Sequence, residues 1–190
     1  MMKSRPVFII TMIILSMSLV LSVAMAEETN LLVNGGFEQW KDRPETNEII
    51  PVGWWPIRSE YEEMSRVSDL KVSGDYGIKI VTSVRKGRYL IQSDPFKVTP
   101  GKVYKISYWV YVEEGSVGVG VLNKTTDRWA SSTISNPKNS QKDGKFKYGE
   151  ISIKASNDAK EFQLIFSSLN EPGMRTTFYL DDITVVEMSN

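Results

Sequence analysis

The stretch that decides the fold is Val103–Leu122, VYKISYWVYVEEGSVGVGVL. Tyr104, Ile106, Tyr108, Val110 and Val112 occupy alternate positions, the period of a half-buried β-strand. Glu113-Glu114-Gly115-Ser116 interrupts that period as a hairpin loop would. Val117, Val119 and Val121 then resume it. Pairing Val112 with Val117 sets Val110 against Val119 and Tyr108 against Val121, so a single register buries both apolar sets. On the other face of this ladder Tyr111 stands opposite Gly118 and Trp109 opposite Gly120. Two large aromatics beside two glycines predict a shelf with open floor, suited to a flat ligand.

The rest of the chain repeats the theme of short alternating segments cut by turn residues. Asn30–Val33 reads as a first strand, and Asn34-Gly35-Gly36 as a tight turn, because Asn and Gly tolerate positive φ. Lys41 to Pro51 reads as a polar loop. Strands are expected over Tyr61–Val67, Tyr76–Val81, Arg88–Gln92, Lys145–Ile153, Phe162–Ser168 and Thr176–Val186. Asn123 to Gly144 reads as a long polar connection carrying Trp129, and connections of that length are often functional. No segment shows a 3.6-residue apolar period. The pattern predicts an all-β, two-sheet antiparallel sandwich or jelly roll in a single domain.

The first residues, MMKSRP, carry Lys3 and Arg5; an apolar run from Val7 to Val23 and then Ala24-Met25-Ala26 follow. Charged start, apolar centre and A-x-A end are those of a secretory signal over residues 1–26, with an uncleaved anchor as the alternative. Cleavage leaves residues 27–190, which is 164 of the 190 residues and enough chain for a sizeable core. The expected location is secreted or cell-surface.

The whole chain has 23 basic and 23 acidic residues; without Lys3 and Arg5 the basic count is 21. A balance so close to neutral gives no reason to expect nucleic acid as a partner, or a membrane for the mature domain. The chain has no Cys and no His, which removes disulfides, imidazole zinc sites and His-dependent triads. No P-loop or dinucleotide fingerprint is present. A monomer is expected.

Sugars present patches of C–H that stack on aromatic faces, while their hydroxyls need side-chain hydrogen bonds at the rim. Trp109 and Tyr111 are the first candidates for such a surface. The bland alternative is that they only cover the glycines. Trp129 is either a second stacking surface at a cleft rim or a small cluster pinning its loop. Arg88 and Gln92 share one face of their strand, and an amide that donates and accepts suits neighbouring hydroxyls. Gln163 is a weaker candidate on the same grounds. The carboxylates, among them Glu113 and Glu114 in the central loop, show no pair in a recognisable catalytic setting.

Several landmarks line up in order: Asn30-Leu31-Leu32-Val33-Asn34-Gly35-Gly36-Phe37-Glu38, Pro51-Val52-Gly53-Trp54, Gly74-Asp75-Tyr76-Gly77-Ile78-Lys79, Gln92, Pro100 to Val110, and Tyr179-Leu180-Asp181-Asp182-Ile183. This order resembles the carbohydrate-binding modules of families four, nine, sixteen and twenty-two, which share a galactose-binding-like jelly roll. The resemblance spans nearly the whole mature chain, and the opening N-G-G-F-E with the closing L-D-D-I is its most specific pair. It implies a non-catalytic module that holds a polysaccharide or oligosaccharide, with Gln92 near the cleft, Trp54 in the core and Trp55 free to bind. It also implies a structural Ca²⁺ where the first and last strands meet, held by Glu38 and by Asp181 or Asp182, of which Asp181 is favoured. Backbone carbonyls around Lys71 to Asp75 would complete the ion's shell. The family modules usually accompany a catalytic domain, and this chain shows none. A glycan hydrolase or lyase on a jelly-roll frame, and a protein-binding or adhesion module, are the alternatives.

Overall fold

The computed structural model describes residues 29–56, 61–82, 89–133, 144–169 and 175–189. In chain order the strands are β1 (Trp40–Arg43), β2 (Glu48–Pro51), β3 (Trp54–Pro56), β4 (Tyr61–Val67), β5 (Gly77–Thr82), β6 (Tyr89–Ser93) and β7 (Phe96–Lys97). They continue with β8 (Val103–Glu114), β9 (Val117–Asn123), β10 (Arg128–Thr133), β11 (Lys147–Lys154), β12 (Glu161–Ser168) and β13 (Thr177–Glu187). Two antiparallel sheets face one another. One runs β10-β9-β12-β6-β3, with β7 also on β12; the other runs β11-β8-β13-β5-β4. The expected two-sheet sandwich is what the chain forms.

Alternation explains the core. Tyr104, Ile106, Tyr108, Val110 and Val112 of β8 and Val117, Val119 and Val121 of β9 are all buried, as their spacing predicts. They meet Phe162, Leu164 and Phe166 of β12, and Tyr108 packs edge-on to Phe166 at 5.6 Å. Trp54 is fully buried against Phe37, with ring centroids 5.1 Å apart, and its indole N–H donates to the Asn34 carbonyl.

The pairing of the central stretch differs from the expectation. Strands β8 and β9 are not a hairpin: β8 lies between β11 and β13, and β9 lies between β10 and β12, in the opposite sheet. The break at Glu113–Ser116 carries the chain across the sandwich, with Gly115 at φ 79° making the corner. Two strands that face each other across a core show the same alternation as two strands lying side by side. Periodicity therefore fixes which side chains are buried and is silent on the partner strand.

Three smaller readings also change. Asn30–Val33 forms no strand; Leu31 N–H bonds the Val185 carbonyl, while the Asn30 side chain donates to Ile183 and accepts from Leu32 and Val185. The supposed loop Lys41 to Pro51 holds the β1–β2 hairpin. The supposed long connection after Asn123 contains β10, paired to β9. Each of these segments is too polar or too short to show a period of its own.

Candidate functional site

The outer face of the β10-β9-β12-β6-β3 sheet gathers several of the candidates. Direct partners in a sheet point to the same side. Trp55 pairs with Gln92, Gln92 with Ile165, and Ile165 with Gly120, a line straight across four strands. Beside it run Gln163, Leu122 and Trp129, which also pair in turn. Trp55 and Trp129 thus stand on the two edge strands, about 19 Å apart at a strand spacing near 4.8 Å.

The floor and the walls of this face differ in exposure. Ile165 points away from the core yet is only 4% exposed, and Gln163 is also buried. Trp129 at one end is 44% exposed and Trp55 at the other 36%. The centre of this face is therefore covered by neighbouring side chains, and the indoles at its two ends are its exposed aromatic surfaces.

Each indole is positioned by something specific. A Cβ on Gly120 would stand 2.5 Å from Cζ3 of Trp129, so the bare glycine is what lets that ring close over β9. Gly118 plays the same part for Leu169, whose side chain would meet a Cβ at 2.9 Å. The Trp55 indole N–H donates to Asp94 Oδ1, while the Lys41 ammonium sits 4.7 Å and the Arg43 guanidinium 5.8 Å from its ring. Lys41, Arg43 and Asp94 carried no local signal as site residues; their meeting depends on the β1–β2 hairpin and on the β6–β7 corner. The Gln92 side chain is half-buried and has no hydrogen-bond partner among the described residues. Gln163 is committed, its amide donating 2.7 Å to the Ser93 carbonyl, which makes it a pin between β12 and the end of β6. Arg88 lies outside the described residues.

Trp109 and Tyr111 are elsewhere. They point outward from β8, on the far side of the molecule from Gln92 and Trp129, so the expected single cleft divides between two faces. Neither adjoins Gly118 or Gly120. Tyr111 stacks on Tyr179 at 5.4 Å and tilts against Phe146 at 6.2 Å, and Trp109 packs on Tyr148 at 5.4 Å. The Tyr179 hydroxyl donates to Glu113 Oε2. Burial first, and then that carboxylate, push the phenol up to about 12.

Glu38, Asp181 and Asp182 do gather around one loop, residues 71–76. Asp181 is fully buried; its Oδ2 accepts from the Val72 and Ser73 N–H groups at 2.6 and 3.1 Å and its Oδ1 from the Asp182 N–H at 2.8 Å. Burial outweighs those bonds and raises its carboxyl above the ordinary value. Glu38 accepts from the N–H groups of Asp75 and Tyr76, and Asp182 Oδ1 from the Ser73 hydroxyl at 2.7 Å. The loop therefore turns N–H groups, not the expected carbonyls, toward the acids. Strand alternation predicts that one of the two aspartates points away. Instead a bulge between Asp181 and Thr184, with Asp182 at φ 47°, brings one oxygen of each within 4.0 Å of where a Cβ on Gly36 would stand. All-oxygen donors suit a hard cation in chemistry. Yet among the described residues no three acidic side chains are grouped closely enough to hold one.

A family profile described as "Carbohydrate binding domain" matches residues 29–172. A solved structure described as "CBM4 structure and function" is 22% identical over 83% of this chain and 99% of that one, with a TM-score of 0.53. A family 61 carbohydrate-binding module in complex with β-1,4-galactotriose is 13% identical over 84% of this chain and 99% of its own, TM-score 0.50. The CBM22-1–GH10 modules of Clostridium thermocellum endo-1,4-β-D-xylanase 10B, complexed with xylohexaose, are 16% identical, TM-score 0.52; the match covers 84% of this chain and 29% of that one. At such identities these likenesses establish the fold alone. No curated protein matches.

Proposed function

We propose that the outer face of the β10-β9-β12-β6-β3 sheet grips a polysaccharide or oligosaccharide, and the premise is plain: the chain belongs to the family of carbohydrate-binding domains. The observation that carries the reading is the line Trp55–Gln92–Ile165–Gly120, closed at its far end by Trp129. A sugar ring stacks on Trp129, whose indole is exposed above its glycine floor. A second is met at the Trp55 end, and the unengaged Gln92 amide donates and accepts between adjacent hydroxyls. A solved family 61 module of the same fold is in complex with β-1,4-galactotriose, which supports an oligosaccharide as the ligand class here.

The role proposed is binding without catalysis. Sugar release from a polymer would move the chain to the enzyme class, which needs two carboxyl groups facing each other across the scissile bond. Export after cleavage at Ala26 belongs to the same proposal and rests on the signal-like segment. So does a structural calcium ion at the Glu38, Asp181 and Asp182 clasp, which rests on the family resemblance and would require the loop of residues 71–76 to turn carbonyls where it now turns N–H groups. The binding reading is tested by affinity electrophoresis through soluble xylan and β-1,4-galactan. Retardation that is weakened in Trp129→Ala supports it, and retardation equal to wild type in that variant overturns it.

A further inference from the structure

The outer face of the other sheet carries a second surface of the same chemical kind. Tyr148 with Trp109, and Tyr111 with Tyr179, form two ring pairs side by side over β11, β8 and β13, each ring of a pair in contact with the other across neighbouring strands. Tyr148 is 52% exposed, and its ring meets Trp109 at 63°, which leaves an open corner of one ring face and one ring edge. Tyr111, Tyr179, Lys79 and Ser65 are register partners in a line over β8, β13, β5 and β4, so the second ring pair passes directly into a polar half.

That polar half contains a hollow of about 460 Å³ lined by Glu63, Lys79, Glu113, Glu114, Arg175 and Thr177. Its charges are mixed and partly paired. Lys79 Nζ lies 3.5 Å from Glu63, and Glu113 accepts from Tyr179. A hollow of one sign would select an ion. One that offers carboxylate acceptors, cationic donors and a hydroxyl together, beside half-buried aromatic rings, matches a neutral polyhydroxylated chain. An apolar protein segment would leave those charges desolvated without partners.

We infer that this face is a second glycan-binding surface, and that the molecule engages two polysaccharide chains at once, one on each side of the sandwich. The inference rests on the carbohydrate-binding reading above but on a different set of residues. Both surfaces are fixed on rigid sheets that pack back to back, so one chain cannot lie in both, and the consequence of double occupancy is cross-linking.

Wild type, Trp129→Ala, Trp109→Ala, Tyr148→Ala and the Trp129→Ala/Tyr148→Ala pair are compared by affinity electrophoresis in soluble xylan and in β-1,4-galactan, and by turbidity on mixing with each. Tyr148 is exposed, so its truncation keeps the fold. The expected result is that wild type raises turbidity, each single variant abolishes it, Trp129→Ala retains residual retardation, and the pair has none. Wild-type turbidity and affinity in both Trp109→Ala and Tyr148→Ala would overturn the second surface and leave the first standing. Unchanged retardation in Trp129→Ala, with loss in Tyr148→Ala, would overturn the first and keep the second as a single site. No retardation of wild type in either polymer would overturn both.

Discussion

Replacing Asp181 by alanine should be the most damaging change in the clasp that ties the loop of residues 71–76 to β13. The carboxylate is fully buried and accepts three backbone N–H groups, from Val72, Ser73 and Asp182. Each buried donor left without a partner costs about 1–3 kcal/mol. Val72 and Ser73 lie on an exposed loop, so water can reach their N–H groups and the lower end applies to them. Relief of the carboxylate's own desolvation gives part of the sum back. The net loss is about 3 kcal/mol, which in a domain of this size lowers the melting temperature by about 6–12 °C. Asp182→Ala, which loses one exposed bond from the Ser73 hydroxyl and puts alanine at φ 47°, should cost about 1–2 kcal/mol. Thermal unfolding by circular dichroism measures both. A shift for Asp181→Ala no larger than for Asp182→Ala would refute the reasoning. Repeating the scans with added Ca²⁺ and with a chelator tests the proposed ion separately. Calcium should raise the wild-type midpoint and leave Asp181→Ala unmoved. An unchanged wild-type midpoint removes the ion while leaving the N–H clasp intact.

Two further outcomes are expected. Gly120→Ala places a methyl 2.5 Å from the Trp129 ring and must push it outward by about 1 Å. Calorimetric titration with xylohexaose should show affinity falling about 5–10-fold, equivalent to 1–1.4 kcal/mol, with a melting temperature close to wild type; unchanged affinity would mean that the ring's position does not matter. Tyr179, raised from 10.0 to about 12, adds stability that is complete below pH 10 and is lost as pH rises through about 12. A spectroscopic titration should lose a tyrosinate phase near pH 12 in Tyr179→Phe, and Glu113→Gln should move that phase earlier; curves identical to wild type would contradict the assignment.

The core was legible in the sequence and the neighbours were not. The alternation of Tyr104 to Val112 and of Val117 to Val121 states which side chains turn inward, and each does. It carries no information on whether the second strand lies beside the first or across from it, because inward-facing residues have the same period in both cases. That one ambiguity placed Trp109 beside Gly120, where the folded chain puts Trp129. The idea that a glycine supplies the floor under an aromatic survives, with a different aromatic on it. Trp55 and Gln92 come together across β3 and β6 from positions 37 residues apart; the amide chemistry and the family resemblance pointed to Gln92, and nothing in the sequence paired the two. The Lys41 and Arg43 contacts were illegible, since the hairpin that carries them is short and polar. The two aspartates were found by motif, but their shared direction depends on a bulge, which strand alternation excludes.

The central claim is that a glycan lies along the face between Trp55 and Trp129. Calorimetric titration of wild type and Trp129→Ala with xylohexaose and with β-1,4-galactotriose tests it most directly. Loss of a central aromatic anchor is worth about 1.5–2 kcal/mol or more. The account predicts that affinity for the preferred sugar drops at least about 10-fold in the variant while its melting temperature stays near wild type. Equal affinity in wild type and variant would contradict it.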